Sequence, residues 1–504
     1  MDNDILIVET KSGVVKGAMA SPRTRSFKGV PFAQPPVGPL RWKPPLPPLP
    51  WSGVRDAVNF SADCPQTIDV GSRAPSMSED CLYLNVWTPA GATDASLPVL
   101  VWIYGGSFIS GSGAETRLDG ARLSEKGAIV VTINYRIGLF GYLAHKQLSA
   151  ESPHGASGNY GVLDQMEAFR WIRKNIAAFG GDPSNVTAFG VSAGSASIAL
   201  LLVSPEAKGL FDRAILESPG AGRPLASLSD AEQAGEALGP DIAELRAKSS
   251  DEILAMNNLL VPKQRGLTIP RVLRPIKDGW LITDDERSIY KKGMMNLMPL
   301  IVGTNADEGS EFVLTWKIEE QAQYSELLET TFGALMPDAA RLYPARNPNE
   351  IKMRLGELFA DTQFNYGARL IAEHMAFGQN KVWRYVFTRK RPQAPNGPHH
   401  GQEVHYVFGN LGAMYPGELP TFETIDEAIS DGMMDYWIAF ARTGDPNSPE
   451  LPAWEAYQQA ADNYLEFKDA IFESRHWRKQ QIDFLTSYFD HVANCMPQIR
   501  EMDS

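Results

Sequence analysis

The chain of 504 residues is predicted to be an α/β protein, a mostly parallel central sheet flanked by helices with helical insertions, and three observations predict it. Continuous Val- and Ile-rich runs at 97–104 and 128–134 have the pattern of strands buried on both faces. Residues 163–176 place apolar side chains at Leu163, Met166, Phe169, Ile172 and Ile176, which is helical spacing. The alternation then continues, with a strand at 186–190, an apolar helix at 193–203, and further strands at 213–217, 299–304 and 382–388. Strand, helix, strand in that order implies parallel pairing.

The stretch before residue 60 is broken by Pro31, Pro35, Pro36, Pro44, Pro45, Pro47 and Pro48, and is read as short strands and extended segments wrapping a larger body. Residues 226–295 and 316–380 are richer in charge and helical periodicity, the mark of insertions capping the sheet. No internal repeat divides the chain, so residues 1–504 are read as one domain.

A formal charge of -13 argues against nucleic acid or an anionic membrane as partner, since either favours a basic face. No apolar run reaches the roughly 18 residues of a membrane-spanning helix. The first residues lack the basic start and apolar stretch of a signal peptide, which leaves an intracellular protein or a mature form with an added Met. Three cysteines, Cys64, Cys81 and Cys495, are too few for a disulfide-built scaffold or a four-cysteine metal site. The expected partner is a small molecule, with no metal and no organic cofactor, and no feature sets an oligomeric state.

Gly190-Val191-Ser192-Ala193-Gly194 matches G-x-S-x-G, with a β-rich segment before it and a helix of small residues after it. A serine hydroxyl needs a base within hydrogen-bond reach to act as a nucleophile at neutral pH. The sharp strand-to-helix turn exposes it, and the flanking glycines let the backbone pass closely. On such a scaffold the chain order is serine, acid, histidine. The segment after the strand at 299–304 carries two adjacent carboxylates, Asp307 and Glu308, at the edge of the sheet where ligands bind; the residues alone do not choose between them. His399 and His400 lie in a Pro/Gly-rich loop after the strand at 382–388, as catalytic loop residues do. A third element is the turn Gly105-Gly106-Ser107 at the end of the strand at 97–104. In this fold one oxyanion donor comes from such a loop and another from the residue after the nucleophile, here Ala193.

With these in place the chain resembles the type-B carboxylesterases of the α/β-hydrolase fold, the group that includes cholinesterases and their non-enzymatic adhesion relatives. The resemblance runs through FKGVPFAQ at 27–34, LRW at 40–42, SEDCLYLN at 78–85, NYR at 134–136, GNYG at 158–161 and FGGDP at 179–183. It continues in the serine elbow, NADEG at 305–309, His400-Gly401 followed by VFG at 407–409, and RTGDP at 442–446. It implies an ester hydrolase with Ser192 as nucleophile, Glu308 as acid and His400 as base. It further implies oxyanion donors at the backbone N–H groups of Gly106, Ser107 and Ala193, and Ser218 as a buried support for the histidine. Cys64 and Cys81 match the family's disulfide, and such a bridge implies a secreted or periplasmic mature form, its absence a cytoplasmic one. Arg41 with Glu79, and Arg136 with Asp164, match internal ion pairs. The adhesion relatives typically lose the triad, whereas all three candidates are present here.

Four departures bear on substrate. The elbow has Val191 where the family usually has Glu. Ser107 replaces a glycine, which strains the turn if φ must be positive. The segment between Cys64 and Cys81 has no Trp, so the aromatic that holds choline by cation–π attraction has no counterpart. Alignment also sets Arg271 and Arg223 near the acyl pocket. Guanidinium groups there fit an acyl group bearing a carboxylate, as on the tricarballylate esters of fumonisins that some bacterial members cleave. The alternatives are arginines on a solvated rim or paired with local acids, and a general short-chain esterase for neutral acyl groups.

Overall fold

The computed structural model describes residues 3–92, 95–261, 266–391, 396–412 and 422–502. Its centre is an 11-stranded sheet. In chain order the strands are β1 (Ala18–Ser21), β2 (Thr24–Pro31), β3 (Tyr83–Pro89), β4 (Leu97–Ile103), β5 (Ile129–Ile133), β6 (Gly181–Val191), β7 (Arg213–Glu217), β8 (Leu300–Asn305), β9 (Val382–Phe387), β10 (Asn463–Phe467) and β11 (Ile471–Arg475). Their spatial order is β11-β10-β9-β8-β7-β6-β4-β5-β3-β2-β1. The run from β5 to β10 is parallel, with antiparallel strands at both ends. Strands β5, β8 and β9 are buried at every residue, as strands covered by helices on both faces must be. One covering helix, Tyr160–Asn175, begins three residues before the periodic stretch that predicts it. The other, Ala193–Val203, is buried all round.

Register sets the site. Ile103 pairs with Gly190, Val191 with Glu217, Glu217 with Gly303, and Asn305 with Phe387. The carboxyl ends of β4, β6, β7, β8 and β9 therefore lie side by side, and the loops that leave them meet. Before residue 60 a separate three-stranded sheet joins Ile7–Thr10, Gly13–Lys16 and Val54–Asp56. The capping stretch expected to be helical at 226–295 has helices at Leu228–Glu236, Ile242–Ala247, Ser250–Leu260 and Glu286–Lys291. Between the last two, the described part at 266–285 is non-helical, and it carries Arg271 and Arg274.

Both expected ion pairs form. Arg41 clasps Glu79 through Nε at 2.7 Å and a second guanidinium nitrogen. Arg136 holds Asp164 at 2.8 and 2.7 Å. The expected Cys64–Cys81 disulfide is not formed: both are buried free thiols. Hydrogen bonding to Cys64, then burial, pushes the Cys81 thiol well up, which disfavours the thiolate that disulfide exchange requires. The side chain of Cys495 lies outside the described residues. Among the described residues no helix is long and apolar enough to cross a membrane.

Candidate active site

Ser192 stands between β6 and the helix Ala193–Val203 at φ 57° and ψ -117°, a conformation a non-glycine residue holds only when its surroundings over-determine it. They do. Its N–H donates to the Glu217 carbonyl at 2.9 Å, and its carbonyl accepts from Ala196 N–H at 2.8 Å. A Cβ at Gly190 or Gly194 would run into the Ile103 carbonyl of β4, so the turn can press this close only with glycine on each side. Ala193 opens the helix, and its N–H has no partner within it. After β4 the chain turns through Gly106 at φ 112°, Ser107 at φ 58° and Phe108 at φ 67°. Ser107 thus adopts the left-handed conformation that favours glycine. Ser107, Phe108, Ser192 and Ala193 line one pocket.

His400 Nδ1 is hydrogen-bonded to Glu308 Oε2. The other Glu308 oxygen accepts from Asn305 N–H at 2.6 Å and from Ser218 Oγ–H at 2.5 Å. Glu308 is buried, so these bonds substitute for water around its charge. Asp307 turns to Ser310 instead, accepting from its N–H at 3.1 Å and its hydroxyl at 2.6 Å. His399 Nδ1 lies 3.6 Å from Glu311. Of the two acids and two histidines, Glu308 and His400 are the pair brought together. The His400 ring stacks on Phe364 at 4.2 Å and meets Phe312 at 5.2 Å. Its Nε2 is buried with no hydrogen-bond partner among the described residues.

Arg223, Arg271 and Arg274 line the same pocket as Ser192, together with Gln363 and Phe364, around about 320 Å³ of empty space partly open to solvent. Arg223 is buried and donates to Gln363 Oε1 and, at 3.3 Å, to the Gly220 carbonyl. Arg274, also buried, reaches the same carbonyl at 3.5 Å and lies 5.4 Å above the Phe108 ring. Burial holds Arg274 below the usual guanidinium range. Behind them Glu286 accepts from Gly222 N–H at 2.8 Å. Burial pushes its carboxyl up to about 7, against the opposing pull of that bond and of Arg274 and Arg223.

The model of the carboxylesterase family matches residues 4–485. The chain belongs to the carboxylesterase family. This carboxylesterase is 41% identical, over 92% of its length and 86% of the relative's, to the fumonisin B1 esterase of Sphingopyxis macrogoltabida. It is 37% identical to the para-nitrobenzyl esterase of Bacillus subtilis, over 90% of its length and 93% of the relative's. A solved PNB esterase superposes with a TM-score of 0.82 at 33% identity, covering 94% of this chain and 99% of that one. Both the α/β-hydrolase fold and the place of the esterase among ester-cleaving enzymes follow.

Several neighbours of the site escape sequence reasoning. Arg274 follows Arg271 by three residues and is signalled by nothing else. Phe364 and Gln363 come from a π-helical turn, Asp361–Asn365, in the second insertion, where no motif points to them. Glu286 opens a short helix. Glu403 is fully buried beside Glu308, and Glu217 is fully buried beside Glu403; the signals available were their places three residues after His400 and one before Ser218.

Proposed function

We propose that the esterase works through an acyl-enzyme on Ser192 and that its acyl group bears a carboxylate. His400 Nε2 takes the Ser192 proton as Oγ attacks the ester carbonyl carbon. The resulting oxyanion is held by the N–H groups of Gly106, Ser107 and Ala193. When the C–O bond breaks, the alcohol leaves with the proton from His400. Water then attacks the acyl-enzyme by the same route, releasing the acid and restoring the serine. Glu308, accepting at both oxygens, orients the imidazole through Nδ1 and leaves Nε2 for the proton transfer.

One observation carries the substrate reading: three guanidinium groups share a pocket with Ser192 in a protein of net charge -13. Planar guanidinium forks pair with carboxylates through two parallel hydrogen bonds. The likeness to an esterase named for fumonisin B1 supports the same reading and points to tricarballylate-type esters. The likeness to a para-nitrobenzyl esterase, whose name specifies only the alcohol side, is compatible with a second reading, a general esterase for neutral acyl groups.

The test compares initial rates on two p-nitrophenyl esters of equal length, one neutral and one ending in carboxylate, with Ser192→Ala as blank. The expected result is preference for the anionic ester, and a loss on the order of 10⁴-fold or more in kcat for Ser192→Ala. Preference for the neutral ester selects the second reading, and substantial turnover by Ser192→Ala refutes the acyl-enzyme.

A further inference from the structure

In the turn after β4, Phe108 holds φ 67°, a conformation that a bulky side chain keeps only when its surroundings impose it. Here they do. Its carbonyl accepts from Gly138 N–H at 2.7 Å, and its buried ring meets Tyr142 edge-on at 5.3 Å. The same ring carries the Arg274 guanidinium, whose carbon lies 5.4 Å from the centroid. A second hold is the Gly220 carbonyl, at 3.5 Å. Among the described residues Arg274 forms no ion pair: Glu286 favours its charge from beyond ion-pair distance, and its Nε is buried without a hydrogen-bond partner. Buried cations are ordinarily paired with an acid. An aromatic face attracts a cation through its quadrupole but brings no net charge to cancel it. Seated on Phe108, the guanidinium is therefore fixed in the pocket of Ser192 with its charge uncancelled. Arg271, in the same pocket, is only half-buried.

What this cation can meet is bounded in two ways. Phe108 directly follows Ser107, an oxyanion donor in the reading above, and adjacent Cα atoms are about 3.8 Å apart, so the seat is part of the oxyanion turn. The empty space of about 320 Å³ holds on the order of ten non-hydrogen atoms, at the roughly 30 Å³ that one water takes in the liquid. A succinyl or glutaryl group fits that space, and a sebacoyl group exceeds it. We propose that Phe108 and Arg274 form one specificity device: the ring seats the guanidinium, and the guanidinium anchors the acyl carboxylate of short dicarboxylic half-esters at a fixed distance from the oxyanion turn. It rests on the acyl-carboxylate reading above, and adds which arginine is the anchor and how long the spacer can be. Because anchor and oxyanion donor share one turn, a carboxylate bound at Arg274 holds the scissile carbonyl against the Ser107 N–H. A half-ester of the right length then gains in kcat as well as in KM.

The experiment follows acid release in a pH-stat from monoethyl succinate, monoethyl glutarate and monoethyl sebacate, and from ethyl isocaproate, the neutral isostere of the first, with Ser192→Ala as blank. Wild type should prefer the two short half-esters over both the isostere and the sebacate, with part of the preference in kcat. A preference confined to KM overturns the tie to the oxyanion turn. Arg274→Met keeps an unbranched side chain and removes the charge. It should cut the ratio of kcat/KM for monoethyl succinate to that for the isostere about 10- to 100-fold. Phe108→Leu should cut the same ratio about 10-fold, and the double variant no further than Arg274→Met alone. Equal losses on both esters in Phe108→Leu overturn the seat. Melting supplies a readout besides turnover. Succinate at fixed ionic strength should raise the Tm of wild type and leave that of Arg274→Met unmoved. Without ligand, Arg274→Met should melt no lower than wild type, since it deletes a buried charge that has no ion pair. A marked fall in its Tm, or failure to fold, makes the arginine structural and overturns the anchor. If Phe108→Leu does not fold, Arg274→Met decides alone. Preference of wild type for the isostere overturns the acyl-carboxylate reading and the device with it. A preference for the half-ester that survives Arg274→Met leaves that reading standing and removes the device.

Discussion

Two clusters of charge flank Ser192, and they are built differently. On one side Glu217, Glu308 and Glu403 hang from strand ends and the His400 loop, and Glu308 is tied by Asn305 N–H and Ser218 to the sheet itself. On the other, Arg223, Arg271 and Arg274 come from loops, and two of them share a single carbonyl, Gly220. Around Glu308 and Glu403 the hydrogen bonds are spent inside the protein, while Glu217 Oε2 is buried without a hydrogen-bond partner among the described residues. In the basic cluster Arg274 Nε and Glu286 Oε1 are buried without a hydrogen-bond partner, a condition that is costly in isolation. The difference separates two tasks: the bonds that tie Glu308 to the sheet hold one geometry, whereas a buried guanidinium nitrogen without a hydrogen-bond partner, as at Arg274, is suited to an incoming anion.

The largest effect should fall on the acidic side. Glu308→Ala removes the acceptor for His400 Nδ1 and leaves the imidazole free to turn, so kcat should fall on the order of 10⁴-fold. A loss of less than about 10-fold would mean that another carboxyl supplies the acceptor. The basic side should respond by substrate. Arg271→Leu should lower kcat/KM on the anionic ester by about 10- to 100-fold, the worth of one charged hydrogen bond, and on the neutral ester by much less. Equal losses on both esters would return the arginines to a structural part.

The same division explains what the sequence revealed. The parallel core was legible because its strands are unbroken apolar runs: 97–104 against Leu97–Ile103, and 299–304 against Leu300–Asn305. Tyr83–Pro89 and Asn463–Phe467 went unpredicted, since Asn85 and Thr88 in one and Asn463 and Glu466 in the other interrupt the apolar pattern. Ser192, Gly106 and the 305–309 loop follow strand ends and carry motifs. The basic wall carries none. Arg223 lies 48 residues before Arg271, and both meet only because a non-helical stretch at 266–285 brings its arginines to Gly220 and the pocket. Convergence of loops has no period to read. Alignment with the family hinted at Arg271 and Arg223; Arg274 required the fold.

The smallest effect tests how the basic cluster keeps its charge. Glu286 is a buried counter-charge behind the pocket that acts on Arg274 and Arg223, and a neutral Glu286 leaves their charge less compensated. Its folded-state carboxyl, at about 7, lies above the ordinary 4.5. Between those values the native state binds more protons than the unfolded one, so this group makes stability fall as pH rises through that window. Glu286→Gln can still accept from Gly222 N–H but has no proton to lose. The variant should therefore narrow the gap in Tm between pH 5 and pH 8 by on the order of one to a few degrees, gaining on wild type at the alkaline end. On the anionic ester, wild-type KM should worsen as pH climbs past 7 and Glu286 becomes charged, while the KM of the variant stays flat. A gap that widens instead would mean that Glu286 is ionised throughout and already paired with the arginines, and the pocket would then hold less positive charge for an acyl carboxylate to meet.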